Sequence, residues 1–259
     1  MAYEFDGEKY KIAATHQRTI GENVIASLAL RGNENILDLG CGDGAVTEQL
    51  AKLVPEGRVL GIDASKGMIQ TARKSLLRNL EFECMDICDI SFEEEFDLIF
   101  SNAALHWVKD HERLVLSAKR ALKKNGVIRW NFGGRGNCSN LIQVLMNCMS
   151  SEKCKAFFDG FEWPWFMPAP DFYSELLTRA GFKGIKAVLQ NADCHYPDAS
   201  AMEKWIDQPC LVPFLEHIKN DDAKILFRND VVSEMLRKTA CNDGTYFESF
   251  RRIDIAAVK

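Results

Sequence analysis

No basic run in this chain reaches five residues; the densest pairs are Lys123-Lys124 and Arg251-Arg252. With a formal net charge of −5, that absence argues against a phosphate-backbone partner, so no nucleic acid is expected. No apolar stretch approaches membrane length, and residues 1–7 hold acids but no apolar leader core, so no membrane partner is expected either. Zinc spacing is missing too. The nine cysteines are odd in number and irregular in spacing, and Cys84 and Cys88 straddle Asp86 with no second Cys/His pair around them. They read as small buried hydrophobes in a reducing compartment, with no metal expected. Repeats and low-complexity linkers are absent, as are a Ser-His-Asp set and carboxylates paired for acid–base work. A cytoplasmic, globular chain is expected; at 259 residues it has one to two domains and buries ~75% of its unfolded surface.

What is there centres on Ile36-Leu37-Asp38-Leu39-Gly40-Cys41-Gly42-Asp43-Gly44. An apolar run ends in an acid, breaks into alternating glycines, and leads into an amphipathic segment over residues 45–54. That is strand, tight turn, helix. Glycines let the backbone take positive φ and let a ligand approach the main chain. Such a turn at the carboxyl end of a first strand is the usual ligand crevice of an open α/β sheet. The glycines alone also fit a dinucleotide fingerprint. The acids decide between ligands: Asp38 and Asp43 would repel a pyrophosphate and attract a ligand carrying an ammonium and a sulfonium, as S-adenosylmethionine does.

The rest of the chain repeats the unit. Residues 10–28 have helix spacing, with Ile12, His16, Ile20, Val24 and Leu28 on one face and Tyr10 and Gln17 sharing another. This is either a packing helix or a lid over the cofactor. A strand over 35–39 is followed by a helix to Val54 and a strand over 58–63 ending in Asp63. An acid at that point, roughly 20 residues beyond the turn, accepts from ribose hydroxyls; Ser65 is free to cap the helix over 66–78 instead. Strands are expected over 80–85, 96–101 and 127–132, with a helix over 108–124 stopped by Asn125-Gly126. Asp86 and Ile87 can hold an adenine, the acid taking the exocyclic amine and the side chain covering the ring. Asn102-Ala103-Ala104-Leu105-His106-Trp107 forms a loop at the same sheet end. His106 is open to three roles: a base for a hydroxyl or amine substrate, a hydrogen-bonder to substrate, or a packed residue. The alternation specifies a doubly wound, seven-stranded, mainly parallel α/β sheet, Rossmann-like, with helical cap insertions.

Beyond residue 132 the pattern changes. Gly133-Gly134-Arg135-Gly136-Asn137 is a loop at the ligand end, where Arg135 is a candidate to pair with an anionic part of the substrate or is a solvated charge. Residues 138–170 read as helical and aromatic. A helix over 170–180, a strand over 182–189, helices over 198–219 and 221–240, and an antiparallel last strand over 246–258 follow; Arg251, Arg252 and Lys259 read as solvated strand ends. The expected organisation is an N-terminal helical lid (1–30), a cofactor-binding core (31–136), an aromatic helical cap (137–170), more core (171–192), a helical cap insertion (193–241) and a core strand (242–259).

Asp38-x-Gly40-x-Gly42, Asp63, Asp86-Ile87 and Asn102 together resemble class I S-adenosylmethionine-dependent methyltransferases over residues 10–135. More narrowly, residues 97–107, the segment Phe172-Tyr173-Ser174-Glu175-Leu176-Leu177 to Gly181, and His195-Tyr196-Pro197 to Trp205 are similar to trans-aconitate methyltransferases. Tyr10 with Gln17, Cys41-Gly42-Asp43-Gly44 and Leu105-His106-Trp107 are similar to juvenile hormone acid methyltransferases. The resemblance implies that Asp38, Gly40 and Gly42 hold the methionine end, Asp63 the ribose, and Asp86 with Ile87 the adenine. It adds Tyr10, Gln17, Ala64, Met68 and Asn102 to the cofactor set, with S-adenosylhomocysteine as product, and turns Gln17 and Trp107 toward a carboxylate acceptor. The sequence departs from trans-aconitate enzymes after the fifth strand, where Asn131-Phe132-Gly133-Gly134-Arg135 replaces a Met-Pro-Asp-Asn-like stretch. Asn102-Ala103-Ala104-Leu105 also stands where amine methylators carry an Asn-Pro-Pro-Tyr type motif. The expected activity is methylation of a small organic acid, with another small-molecule nucleophile (phenol, amine or arsenic compound) as the alternative. A nicotinamide enzyme or a non-catalytic cofactor binder is the reading from another class. Oligomeric state is not legible.

Overall fold

Alternation of apolar side chains on both faces builds the central strands. The computed structural model describes residues 3–259, so the first two residues of the expected lid lie outside it. β1 (Asn35–Leu39) pairs in parallel with β2 (Arg58–Asp63) and β4 (Phe96–Asn102); β3 (Leu80–Cys84) adds to β2, and β5 (Leu122–Gly133) to β4. Leu37, Ile99 and Trp130 enter the core on one face, and Ile36, Val59 and Phe100 enter the core on the other. Burial on both faces is what an inner parallel strand needs. β6 (Lys183–Asn191) is separated from β5 by β9 (Arg251–Val258), which runs antiparallel to both. The sheet order is β3-β2-β1-β4-β5-β9-β6, seven strands as expected.

Helices flank the sheet: α1 (Gly7–Ala13), α2 (Thr15–Ala26), α3 (Ala45–Leu53), α4 (Lys66–Ala72), α5 (His111–Ala121) and α7 (Pro170–Arg179). The single helix expected over 10–28 is two, broken at Ala14. Four-residue spacing carries across the break, which is why the sequence hid it, and Ile12, expected on the buried face, is 68% exposed. The helix expected to run to 124 ends at Ala121. Asn125, at φ 63°, sits instead in a bulge of β5, where the partner of Phe96 is Leu122 and that of Leu98 is already Val127. Asn tolerates that left-handed backbone better than most residues.

The cap has its own apolar core, built on Leu141, Leu145, Trp205, Phe214 and Phe227. It comprises α6 (Ser139–Ser150), α8 (Ala199–Trp205), α9 (Val212–His217) and α10 (Asp221–Thr239). Residues 159–169, expected to be helical, are extended or irregular. The helix expected over 198–219 is interrupted by a π-helical turn at Ile206–Cys210 that contains Pro209, which has no N–H to give the ladder. The strand expected over 246–258 is split as well. β8 (Tyr246–Glu248) leaves the sheet to pair with β7 (Cys194–Tyr196). The Glu248 carboxylate there accepts from Asn140 N and Leu141 N at the start of α6, at 3.1 and 2.9 Å.

Candidate active site

The floor of the site is made by the ends of β1 and β2. Asp38, 2% exposed, accepts from Thr47 Oγ1 through Oδ2 at 2.7 Å, and Oδ1 has no donor among the described residues. Burial pushes its carboxyl up to about 7, with Asp63 adding to the rise and the Thr47 hydroxyl opposing it. Gly40, at φ 72°, lies against the β4 loop so closely that a Cβ would stand 2.1 Å from Ala104 Cβ. Gly42, at φ 55°, has nothing within 4 Å of a Cβ position and so keeps open space above the turn. Asp63 ties the two strand ends together, accepting from Gly42 N at 3.0 Å and Ser65 N at 2.9 Å. Burial raises its pKa as well. Ser65 caps α4 through Met68 N, as expected. Asp86 accepts from Cys88 N at 2.9 Å, turning Ile87 into the space beside Gly40.

The N-terminal segment roofs this floor. The Glu4 carboxylate accepts from Ser65 Oγ, Gly67 N and Lys66 N at 3.0, 2.6 and 3.2 Å. Tyr3 and Phe5 pack on Trp107 with ring centroids 5.7 and 5.8 Å away. Tyr10 follows on α1, its hydroxyl pKa raised first by burial and then by Asp43 and Asp63. Asn102 donates to the Gln17 carbonyl at 2.9 Å, while Gln17 Oε1 is buried without a partner among the described residues. Asp43 is not a free carboxylate aimed at a ligand: Arg18 Nη2 stands 3.3 Å from it.

The third wall corrects the sequence reading most. Arg252 is no solvated strand end; it is 4% exposed. Its Nε donates to Asn131 Oδ1 at 2.8 Å, and its Nη2 to Asn131 O at 2.7 Å and Asn102 Oδ1 at 3.0 Å. Nη1 has no acceptor among the described residues, and the side chain lines the cavity. The Asn131 amide is oriented in turn by Asp254, which accepts from its Nδ2 at 3.1 Å and pairs with Arg129. Arg135 sits on the surface, exposed and away from the cavity lining. His106 and His16 line the cavity, each with one buried ring nitrogen that has no partner among the described residues. Burial first, and the Arg252 charge second, hold their pKa values down to about 3 and about 4.

These walls enclose a cavity of about 500 Å³ that brings together Tyr10, Gln17, Asp38, Gly40, Gly42, Asp63, Ala64, Met68, Asp86, Ile87, Asn102, His106 and Trp107, every expected site residue except Arg135. It lies outside the carboxyl ends of β1, β2 and β4, where strand order reverses. Residues 37–129 match the methyltransferase domain family. Trans-aconitate 2-methyltransferase of Deinococcus radiodurans is 33% identical over 86% of this chain and 86% of its own. The chain belongs to the class I S-adenosylmethionine-dependent methyltransferases. A methyltransferase of Schizosaccharomyces pombe described only as uncharacterized is 29% identical over 97% of this chain and 99% of its own. Among solved structures, the YcgJ protein of Bacillus subtilis superposes with a TM-score of 0.62 at 14% identity, covering 94% of this chain and 97% of that one. Phosphoethanolamine N-methyltransferase 2 of Haemonchus contortus gives 0.59 at 20% identity, covering 93% of this methyltransferase and 52% of that chain.

This methyltransferase uses S-adenosylmethionine, and the cavity fits it: Asp38 Oδ1 has no donor among the described residues, and the open cradle at Gly42 would be filled by a Cβ. No helix among the described residues is long and apolar enough to cross a membrane. Arg252, His16 and Arg18 escaped the sequence reading as cavity residues. For Arg252 a signal existed: alternation on an inserted inner strand puts Arg252 and Asp254 on one buried face, where charges need partners.

Proposed function

We propose that this methyltransferase esterifies a carboxylate of a small organic acid. The observation that carries the reading is Arg252, a buried guanidinium fixed on two sides with Nη1 left over toward the cavity. A planar fork of donors suits a carboxylate. Of the other cations lining the cavity, Arg18 pairs with Asp43 through Nη2 alone, and Lys109 donates to the Trp163 carbonyl. Relatives named trans-aconitate 2-methyltransferase support an acid as acceptor.

Asp38, with Gly40 and Gly42, would hold the ammonium end of the cofactor, Asp63 the ribose, and Asp86 and Ile87 the adenine. Tyr10, Ala64, Met68 and Asn102 would complete that set. Arg18, beside the glycine turn, suits the cofactor's own carboxylate, which leaves Arg252 to the acceptor. When bound, the cofactor supplies a methyl carbon: a carboxylate lone pair forms the O–C bond, the C–S pair leaves to sulfur, and the two charges cancel in a neutral ester and thioether. A carboxylate with an ordinary pKa near ~4 needs no base, only placement and exclusion of water. Gln17, Trp107 and Arg252 would place it, and Tyr3 and Phe5 would exclude water over Trp107. His106, neutral and weakly basic at about 3, suits hydrogen bonding rather than proton abstraction.

Transfer of labelled methyl from S-adenosylmethionine to a panel of acids, phenols and amines tests this. Base-labile label on an acid is expected, with Arg252→Gln raising KM for the acid at least tenfold and sparing S-adenosylhomocysteine affinity. Base-stable label on a phenol or amine refutes the reading. So does an Arg252→Gln effect on cofactor affinity alone, which would give the guanidinium to the cofactor.

A further inference from the structure

We propose that Asp254, which does not line the cavity, is a positioning residue that aims the Arg252 guanidinium, and that it acts as a hydrogen-bond acceptor and not as a charge. The part given to the guanidinium rests on the carboxylate reading above. The first observation is a polar ladder on one face of the sheet. Asn102 on β4 stands opposite Asn131 on β5, which stands opposite Asp254 on β9. Residues paired across strands share a face. Asn131, Asp254 and Arg252 are 1%, 1% and 4% exposed, so their polar atoms depend on one another. The ladder has a direction, because a guanidinium only donates and a carboxylate only accepts. Asn131 lies between one of each: its Nδ2 donates to Asp254 Oδ1 at 3.1 Å, and its Oδ1 accepts from Arg252 Nε at 2.8 Å. Turned over, its amide would set NH2 against the guanidinium and oxygen against the carboxylate. Asp254 thus holds the Asn131 amide one way round, as the Gln17 carbonyl does for Asn102. With both amide oxygens aimed at it, Arg252 keeps Nη1 for the cavity.

The second observation separates hydrogen bonding from charge. Two donors, Asn131 Nδ2 and Arg129 Nη1, converge on Asp254 Oδ1. Oδ2 is buried with no hydrogen-bond partner among the described residues; Lys186 Nζ stands 3.6 Å from it, on a side chain 59% exposed. Only Oδ1 takes part in the ladder. An asparagine at 254 therefore keeps its own Oδ1 toward the two donors and puts its NH2 at the open position. Arg129 has other acceptors, the Ile255 carbonyl at 3.3 Å and Ser27 Oγ at 3.4 Å, so loss of the carboxylate does not strand it. Nor does Arg252 need that charge to stay ionised. Burial lowers its pKa to about 10, opposed by Cys138, Tyr10 and, last, Asp254, and that value lies well above neutral pH. A leucine at 254 is close in size but accepts nothing. It leaves Asn131 Nδ2 buried without a partner, frees the amide to turn, and takes the fixed acceptor away from Arg252 Nε.

The test follows the Arg252 Nε–H signal by nitrogen-15 NMR of arginine-labelled protein, assigned by its absence in Arg252→Gln. Its exchange with water reports the bond to Asn131 whatever the acceptor is. Asp254→Leu should exchange at least ~10-fold faster than wild type, and Asp254→Asn within ~3-fold of it. Added S-adenosylhomocysteine should still raise the melting temperature of both, which checks that they fold. Asp254→Val, smaller and suited to a strand, replaces a leucine variant that fails to fold. The second arm is methyl transfer to the acid that the panel finds accepted. Asp254→Leu should raise its KM at least ~5-fold with kcat little changed, and Asp254→Asn should rescue it. In an Arg252→Gln background the leucine should add nothing further. Wild-type exchange in Asp254→Leu overturns the proposal. So does an Asp254→Asn variant as impaired as the leucine, which would make the charge decisive. A leucine effect on KM that persists in full without Arg252 overturns it too, as a general loss of packing. If no acid is methylated, the carboxylate reading falls and the exchange arm still decides this proposal.

Discussion

If Asp38 holds the cofactor's ammonium as proposed, its carboxyl, raised to about 7 by burial, makes cofactor binding a proton-linked event. In the free protein at neutral pH the group is about half protonated. An ammonium beside it favours the ionised form and returns its pKa toward the ordinary ~4, so binding expels a proton. Affinity then follows the ionised fraction of the free protein, ~0.09 at pH 6 and ~0.9 at pH 8, a tenfold gain worth ~1.4 kcal/mol. Titration calorimetry with S-adenosylhomocysteine at pH 6, 7 and 8, in two buffers of different ionisation enthalpy, reads both quantities. The expected result is tenfold tighter binding at pH 8 and release of about half a proton at pH 7. The sign for stability is opposite. A carboxyl raised in the folded state above its unfolded value stabilises fully only below the unfolded value, and that stability is lost as pH rises through the folded one. Over ~3 pKa units that loss approaches ~4 kcal/mol. Asp38→Asn should therefore bind the cofactor weakly with no slope between pH 6 and 8, yet melt higher than wild type at pH 8 without ligand. A flat wild-type profile, or an Asn variant that keeps the slope, refutes the argument.

Asp63→Ala removes the acceptor for Gly42 N and Ser65 N together with the expected ribose contact, and should weaken S-adenosylmethionine at least ~10-fold by calorimetry. Gly67→Ala places a Cβ 2.4 Å from the Phe5 carbonyl, so hydrogen exchange in residues 3–13 should speed up and added S-adenosylhomocysteine should protect them less than in wild type. His106→Gln should keep measurable turnover, and the wild-type rate profile should lack an imidazole limb near ~6.5, since burial holds His106 at about 3. Arg135→Ala should leave kcat/KM unchanged.

The floor of the cavity was legible because its pattern is local. Asp38, the glycine turn, Asp63 and Asp86 each sit at a strand end that period-2 burial announces, and the crevice follows from parallel topology. The wall built on Arg252 was not. Arg252 depends on β9 entering between β5 and β6 and on partners more than a hundred residues away, Asn102 and Asn131. Arg135 misled because a glycine-rich loop at the correct end of the sheet still leaves the outward or inward aim of a side chain open. Asp43 misled because its counterion, Arg18, lies on another element. Caps and breaks failed where a residue served two designs: Asn125-Gly126 suits a helix stop and a bulge equally.

The guanidinium of Arg252 is shared property. It arrives on the strand that closes the sheet beside the cap, yet its bonds go to Asn102 and Asn131, at the ends of two strands from the first half of the chain. A lineage free to reshape the cap, and with it the choice of acceptor, is not equally free here. Losing Arg252 leaves the side-chain oxygens of Asn102 and Asn131 without their donor. Divergence in acceptor choice is thereby channelled toward the walls around a fixed charge. On the carboxylate reading proposed above, new acceptors would be recruited by changing what surrounds their acid group before the acid group itself is abandoned.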